Sequence, residues 1–259
     1  MTMRHTQGSA PRRVQIEKAW LDIVDIDSAL DVAFGWLKTD TPRVVMAINP
    51  EKVRAIGEDP MLEKFNRDAG LAIGDGMGVV IAAKLMGYRE AARVTGIDFC
   101  EGMVARCARE DVPVFFYGAA EGVANDAARE LQQRFPGLKV AGIANGFVPP
   151  ERQDELVNTI ATSGAEVLLV ALGSPRQELW MNKNLGRLGG VRIVQGVGGS
   201  FDVFSGRLKR APKAWQNAGL EWLYRLLAQP SRLPRYFRLR KFVPVLWRCA
   251  VGKGKKVAS

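Results

Sequence analysis

Six short runs of almost uninterrupted apolar residues govern what this chain can fold into: Arg43–Ile48, Gly70–Ile73, Pro113–Tyr117, Leu138–Ile143, Glu166–Leu172 and Val191–Gly196. Each has the length of a strand. Their apolar residues do not alternate with polar ones, which is the pattern of strands covered on both faces. Helix-length amphipathic segments fall at Ser28–Lys38, Pro50–Arg67, Gly76–Leu85, Asp98–Arg109, Glu121–Phe135, Pro150–Ser163 and Pro175–Gly186. Their starts carry Asp, Ser or Pro, which suit caps and first turns. Strand alternating with helix predicts an α/β core with a parallel sheet over residues 14–206. At 259 residues, 47% of them hydrophobic, the chain has ample material to bury such a core.

A parallel sheet sends its loops and helix N-termini to the carboxyl ends of the strands, where ligands bind. The loops there read Asn49-Pro50-Glu51, Gly74-Asp75-Gly76-Met77-Gly78, Gly118-Ala119-Ala120, Gly173-Ser174-Pro175-Arg176-Gln177-Glu178 and Gly196-Val197-Gly198-Gly199-Ser200-Phe201-Asp202. Four of the five contain glycine, which lets backbone N–H groups approach an anion. Asp75 places a carboxylate at the mouth of the sheet, with flanking glycines leaving room for a bulky substrate. Capping of the helix that begins near Gly76 is an equal use for it. Gly-x-Gly-x-Gly after a strand suggests a dinucleotide site, but that fingerprint needs a later glycine and a ribose-binding acid. Position 79 is Val, and residues 90–98 do not end a strand, so an NAD(P)-dependent oxidoreductase is the weaker reading.

Arg93 offers paired donors suited to a phosphate, whereas Asp98 reads as the N-cap of the helix that follows. Gln177 opens a helix after a Gly-Ser-Pro turn, at an edge where its amide could meet sugar hydroxyls. Gly198 and Gly199 form a second glycine loop fit for a nucleotide diphosphate, with Asp202 toward the ribose or base. Asp25-Ile26-Asp27 has the form of a metal-binding sugar-transferase motif, but Asp27 there serves as a helix cap. No carboxylate and histidine cluster has ligand spacing, so no metal site is expected.

Charge separates the chain into two parts. From Arg207 onward there are fourteen Lys/Arg and a single acid, Glu221, a balance of +13 against +10 for the whole chain, which leaves residues 1–206 at −3. The tail, 207–259, is basic and amphipathic. Leu220, Leu223, Tyr224 and Leu227 follow helical spacing, and arginines interleave with Leu233, Tyr236, Phe237, Phe242 and Trp247. That mixture suits an anionic membrane surface, and nucleic acid is its rival. Residues 1–13 read as a flexible leader with no apolar h-region, and nothing approaches the roughly 20 apolar residues that span a bilayer. The lone histidine, His5, makes histidine base chemistry improbable, and three cysteines in a chain this long are no disulfide framework, so a reducing compartment is expected.

These blocks, with Arg93-Val94-Thr95-Gly96-Ile97-Asp98, Arg210-Ala211-Pro212 and Gly219-Leu220-Glu221-Trp222-Leu223-Tyr224-Arg225, resemble the WecG/TagA/CpsF glycosyltransferases over roughly residues 14–240. The resemblance implies a Rossmann-like fold and inverting transfer of a sugar from a UDP-sugar to a polyprenyl-diphosphate-linked saccharide, the work of a hexosyltransferase in cell-surface polysaccharide assembly. It implies Asp75 as general base, and Asn49, Arg93 and Gln177 as sugar- and phosphate-site residues. Gly198, Gly199 and Asp202 then belong to the UDP site. Arg225, Arg232 and Arg235 would close over the acceptor diphosphate at the cytoplasmic face of the plasma membrane. No cofactor or metal is implied, and no nucleic-acid partner; a homo-oligomer is compatible with it. Relatives carry Thr two residues before the family's Asn, where this chain has Ala47, so the donor stays open between UDP-glucose, UDP-N-acetylmannosamine and its uronic acid. A non-catalytic membrane or nucleic-acid module on a degenerate core is the other reading.

Overall fold

The computed structural model describes residues 10–217, 219, 221–228 and 240–252. The chain opens with an antiparallel hairpin, β1 (Arg12–Ile16) and β2 (Ala19–Ile23), in which Arg13 pairs with Asp22 across the ladder. Arg12 and Arg13 are therefore strand residues, which corrects the reading of 1–13 as leader. Asp22 is the reason they are held. Its carboxylate takes the Arg13 guanidinium at 2.8 and 2.6 Å and the Ala72 N–H at 2.8 Å, riveting the hairpin to the main sheet.

That sheet has six parallel strands: β3 (Arg43–Ile48), β4 (Leu71–Gly74), β5 (Val114–Gly118), β6 (Val140–Ala144), β7 (Val167–Ala171) and β8 (Ile193–Gly196). Their spatial order is β4-β3-β8-β7-β5-β6. The chain steps from β3 to β4 on one side and places all the later strands on the other, so the strand order switches between β3 and β8, the place where α/β sheets open a crevice. The register sets Ile48 beside Gly74 and Val170 beside Gly196, so β3 ends level with β4 and β7 with β8, the first pair running two residues further, and their loops share one rim.

Helices cover both faces. One face carries α1 (Ile26–Gly35), α5 (Gly96–Glu110), α6 (Val123–Arg134) and the short α9 (Ser200–Phe204), packed on Val45, Ile73, Phe116 and Leu169. The other carries α2 (Pro50–Glu58), α3 (Pro60–Asp68), α4 (Met77–Leu85), α7 (Gln153–Thr162) and α8 (Arg176–Asn184), packed on Val44, Met46, Tyr117 and Val170. Neighbours along a strand thus enter opposite layers, and each fully buried large side chain contributes about 1.5–3 kcal/mol.

Several helix starts differ from expectation. The segment Pro50–Arg67 is two helices, because Pro60 offers no N–H and Asp59 turns extended to cap α3 through Met61 N, 2.8 Å. Asp25, not Asp27, caps α1, accepting from Ser28 N at 2.8 Å. Thr95, not Asp98, caps α5; Asp98 stands three residues on and completes a reciprocal box, with Asp98 N donating to Thr95 Oγ1 and that hydroxyl donating to Asp98 Oδ2.

The described tail lies against the body. Ala211 is buried, α10 (Lys213–Asn217) and α11 (Glu221–Ala228) follow, and α12 (Val243–Ala250) rests on α4 with Phe242, Val245 and Cys249 in the core. Trp247 on the same helix is 65% exposed. Among the described residues no helix is long and apolar enough to cross a membrane.

Candidate active site

A cavity of about 300 Å³ opens at the rim where β3, β4, β7 and β8 end, within the range of small-ligand sites. Its polar lining comes from Asn49, Lys52, Asp75, Arg93, Gln177 and Glu221, and its backbone floor from Gly196 to Ser200. Residues read from five separate loops thus converge: Asn49, Asp75, Arg93, Gln177, Gly198 and Gly199 all line one space.

Asp75 leaves β4 with its N–H on Ile48 O, 2.8 Å, and its Oδ1 accepts the Gly96 N–H at the start of α5, 3.1 Å. It does not cap α4. Gly76 is that helix's N-cap residue, with no side-chain cap bond. The flanking glycines do two kinds of work. A Cβ on Gly78 would stand 2.6 Å from Pro50 Cγ and one on Gly76 3.1 Å from Pro50 Cδ, so both admit the start of α2, and Gly76 also lines the cavity beside Asp75. Asn49 caps α2 through Oδ1, which accepts Lys52 N at 2.9 Å.

Gln177 is buried rather than projecting. Its Oε1 accepts Gly198 N–H at 3.0 Å and its Nε2 donates to Glu178 Oε1 at 2.9 Å. Gly196 makes room for it, since a Cβ there would meet Gln177 Nε2 at 2.5 Å. Arg93, read as a phosphate ligand, is held by protein groups: Nη1 donates to Gln216 O at 2.7 Å and Nη2 to Glu221 Oε2 at 3.0 Å. Arg210 approaches the other Glu221 oxygen at 3.6 Å and pairs with Asp98 at 2.6 Å. The guanidinium of Arg93 therefore ties the cavity wall to α10 and α11. Asp202, in α9, is not in the lining; its Oδ2 comes within 3.5 Å of where a Cβ on Gly199 would stand. The Arg225 side chain, Arg232 and Arg235 lie outside the described residues, as do Leu220, Leu233, Tyr236 and Phe237.

Lys52, Thr95, Ser174 and Glu221 line the cavity without having been singled out from the sequence. For Glu221 a signal existed, since it is the single acid among fourteen basic residues after position 206. Lys52 had a fainter one, three residues after a strand-end asparagine. Its ammonium is paired with the buried Glu178 carboxylate. Among the described residues no three His, Cys, Asp or Glu side chains gather closely enough to hold a metal ion.

The arrangement is a rim pocket with one carboxylate on a strand-end loop, a glycine floor and cations at its sides, suited to an electrophile carrying a negatively charged leaving group. The family model of the Glycosyl transferase WecG/TagA/CpsF family matches residues 14–256. That span takes in every strand of the six-stranded sheet and every residue of the cavity wall, and it sets aside the oxidoreductase and non-catalytic readings. Its members transfer sugars from a donor to an acceptor, and the protein belongs to the WecG/TagA/CpsF family of glycosyltransferases.

Proposed function

We propose that the protein is an inverting glycosyltransferase that moves a hexose or N-acetylhexosamine-type sugar from a UDP-sugar to a polyprenyl-diphosphate-linked saccharide in cell-surface polysaccharide assembly. The position of Asp75 carries the reading. Its carboxylate lines the rim cavity one residue past the end of β4, anchored through Oδ1, which accepts the Gly96 N–H at 3.1 Å. In the proposed step an acceptor hydroxyl oxygen attacks the anomeric carbon from the face opposite UDP. The bond from that carbon to the β-phosphate oxygen breaks with its electron pair going to UDP, and the hydroxyl proton passes to Asp75. Cations and backbone donors around the glycine floor then stabilise the charge gathering on the diphosphate.

The donor is UDP-glucose, UDP-N-acetylmannosamine or the corresponding uronic acid. Ala47 bears on that choice, because its methyl stands 3.1 Å from where a Gly96 Cβ would be, beside Asp75. The basic tail supports work at the inner face of the plasma membrane, where the lipid-linked acceptor resides, with Arg225, Arg232 and Arg235 proposed as its diphosphate ligands.

Asp75→Asn is the test. Turnover is expected to fall by about 100- to 10,000-fold, the usual worth of a positioned base, while UDP affinity measured by calorimetry stays within about twofold. Unimpaired turnover in the variant overturns the assignment.

A further inference from the structure

A donor diphosphate needs a cation aimed into the cavity, and among the described lining residues the cationic side chains are Lys52 and Arg93. Arg93 is engaged by Gln216 O and Glu221. Lys52 differs. It is the third residue of α2, its side chain is 10% exposed, and it lines the cavity. Its partner Glu178 is 1% exposed and stands behind it, outside the lining. A ligand in the cavity therefore meets the positive end of this ion pair and not the negative one. An ammonium has three donors, and Glu178 Oε1 takes one. The positive end of the α2 dipole points the same way.

Glu178 does more than balance charge. The oxygen that holds Lys52 also accepts Gln177 Nε2 at 2.9 Å, and Gln177 Oε1 in turn holds Gly198 N–H at 3.0 Å. One buried carboxylate thereby fixes the ammonium and, through an amide, the glycine floor opposite it. Glu178 Oε2 has no hydrogen-bond partner among the described residues, so this carboxylate is held by Lys52 and Gln177 alone. We infer that Lys52 is the cation that holds the donor's diphosphate and that Glu178 is the positioning residue that aims it. The inference rests on the UDP-sugar reading and adds to it the chemical partner of a residue pair.

Calorimetry on the full chain with UDP and with uridine, which lacks phosphate, tests it. Lys52→Met alone leaves a buried carboxylate unpaired and invites misfolding. The informative variant is Lys52→Met with Glu178→Gln, which removes both charges and keeps an acceptor for Gln177. It is expected to weaken UDP by about 10- to 100-fold, the size of one charge-assisted hydrogen bond, and to leave uridine within about twofold. Glu178→Gln alone keeps the ammonium but releases it, and is expected to weaken UDP by about threefold or more with uridine unchanged. Equal weakening of both ligands, or unchanged UDP affinity, overturns the role of Lys52. Unchanged UDP affinity in Glu178→Gln overturns the role of Glu178. A wild-type chain that binds neither ligand overturns the donor reading itself.

Discussion

Cys107 sits on the buried face of α5, where its thiol is raised from 9.0 to about 12, first by burial and then by the charges of Glu110 and Glu166. Cys100, about two turns earlier on the same helix, is also raised, first by burial. A raised thiol pKa favours the protonated native state. The unfolded chain releases its thiol protons near pH 9 while the folded chain retains them, so stability is fully present below that point and is lost as pH climbs toward about 12. Urea midpoints measured from pH 8 to 11 should fall across this window, and Cys107→Ala should flatten the slope, with Cys100 supplying what remains. A slope identical to wild type would contradict the burial effect. Individual residues were unevenly legible. Asp75 was legible as a charged side chain at a strand end, with capping an equal use for it in sequence; Gly76 holds the N-cap position of α4 instead. Gly78 opens no space in the cavity, because a glycine in sequence does not say which neighbour it admits. Only the packing of Pro50 against α4 answers that. Gln177 looked available for the same reason, until the Gly198 amide and Glu178 were seen to claim both ends of its carboxamide.

Elements were read best where burial is continuous. All six apolar runs became strands of one parallel sheet, each end within two residues of expectation, since a strand covered on both faces carries few polar residues to blur the signal. The hairpin β1–β2 escaped notice for the opposite cause. Its residues include Arg13 and Asp22, which look solvated in sequence and are in fact joined to each other and to the edge of β4. That pair is the element's fastening. Asp22→Ala strands the Arg13 guanidinium and the Ala72 N–H, and is expected to cost about 3 kcal/mol in urea unfolding, as breaking a buried pair does. A loss below about 0.5 kcal/mol would mean that the hairpin is held by its apolar face alone. The paired helices α2 and α3 teach a related lesson: amphipathic periodicity runs straight through Asp59-Pro60, and the backbone chemistry of proline overrides it.

At the scale of the whole molecule, the sequence suggests a body at 14–206 and a cationic appendage that could be removed. Phe242, Val245 and Cys249 complicate that division by lying in the same core as Val79 and Ala83. Gly78 belongs to this contact, since Phe242 Cε1 comes within 3.4 Å of where its Cβ would stand. Deleting residues from 240 onward uncovers that face of α4. The expected loss is about 3 kcal/mol, or roughly 6–12 °C in Tm, read by thermal denaturation together with dye binding to the exposed patch. An unchanged Tm would show that the last helix adds nothing to the body. Charge composition could not foresee this, because a helix may carry arginines toward solvent and still bury its opposite face.

The bond from Arg93 to Glu221 has a consequence for how the protein comes into being. Glu221 and Gly219, which complete one wall of the cavity, follow every strand of the six-stranded sheet in the order of translation. A polypeptide still emerging from the ribosome has the residues of all six sheet strands, and the aspartate, before it has those that close this wall. Enclosure arrives only with the closing stretch of synthesis, so if Asp75 is the base proposed above, the half-built chain carries it without the room in which to use it.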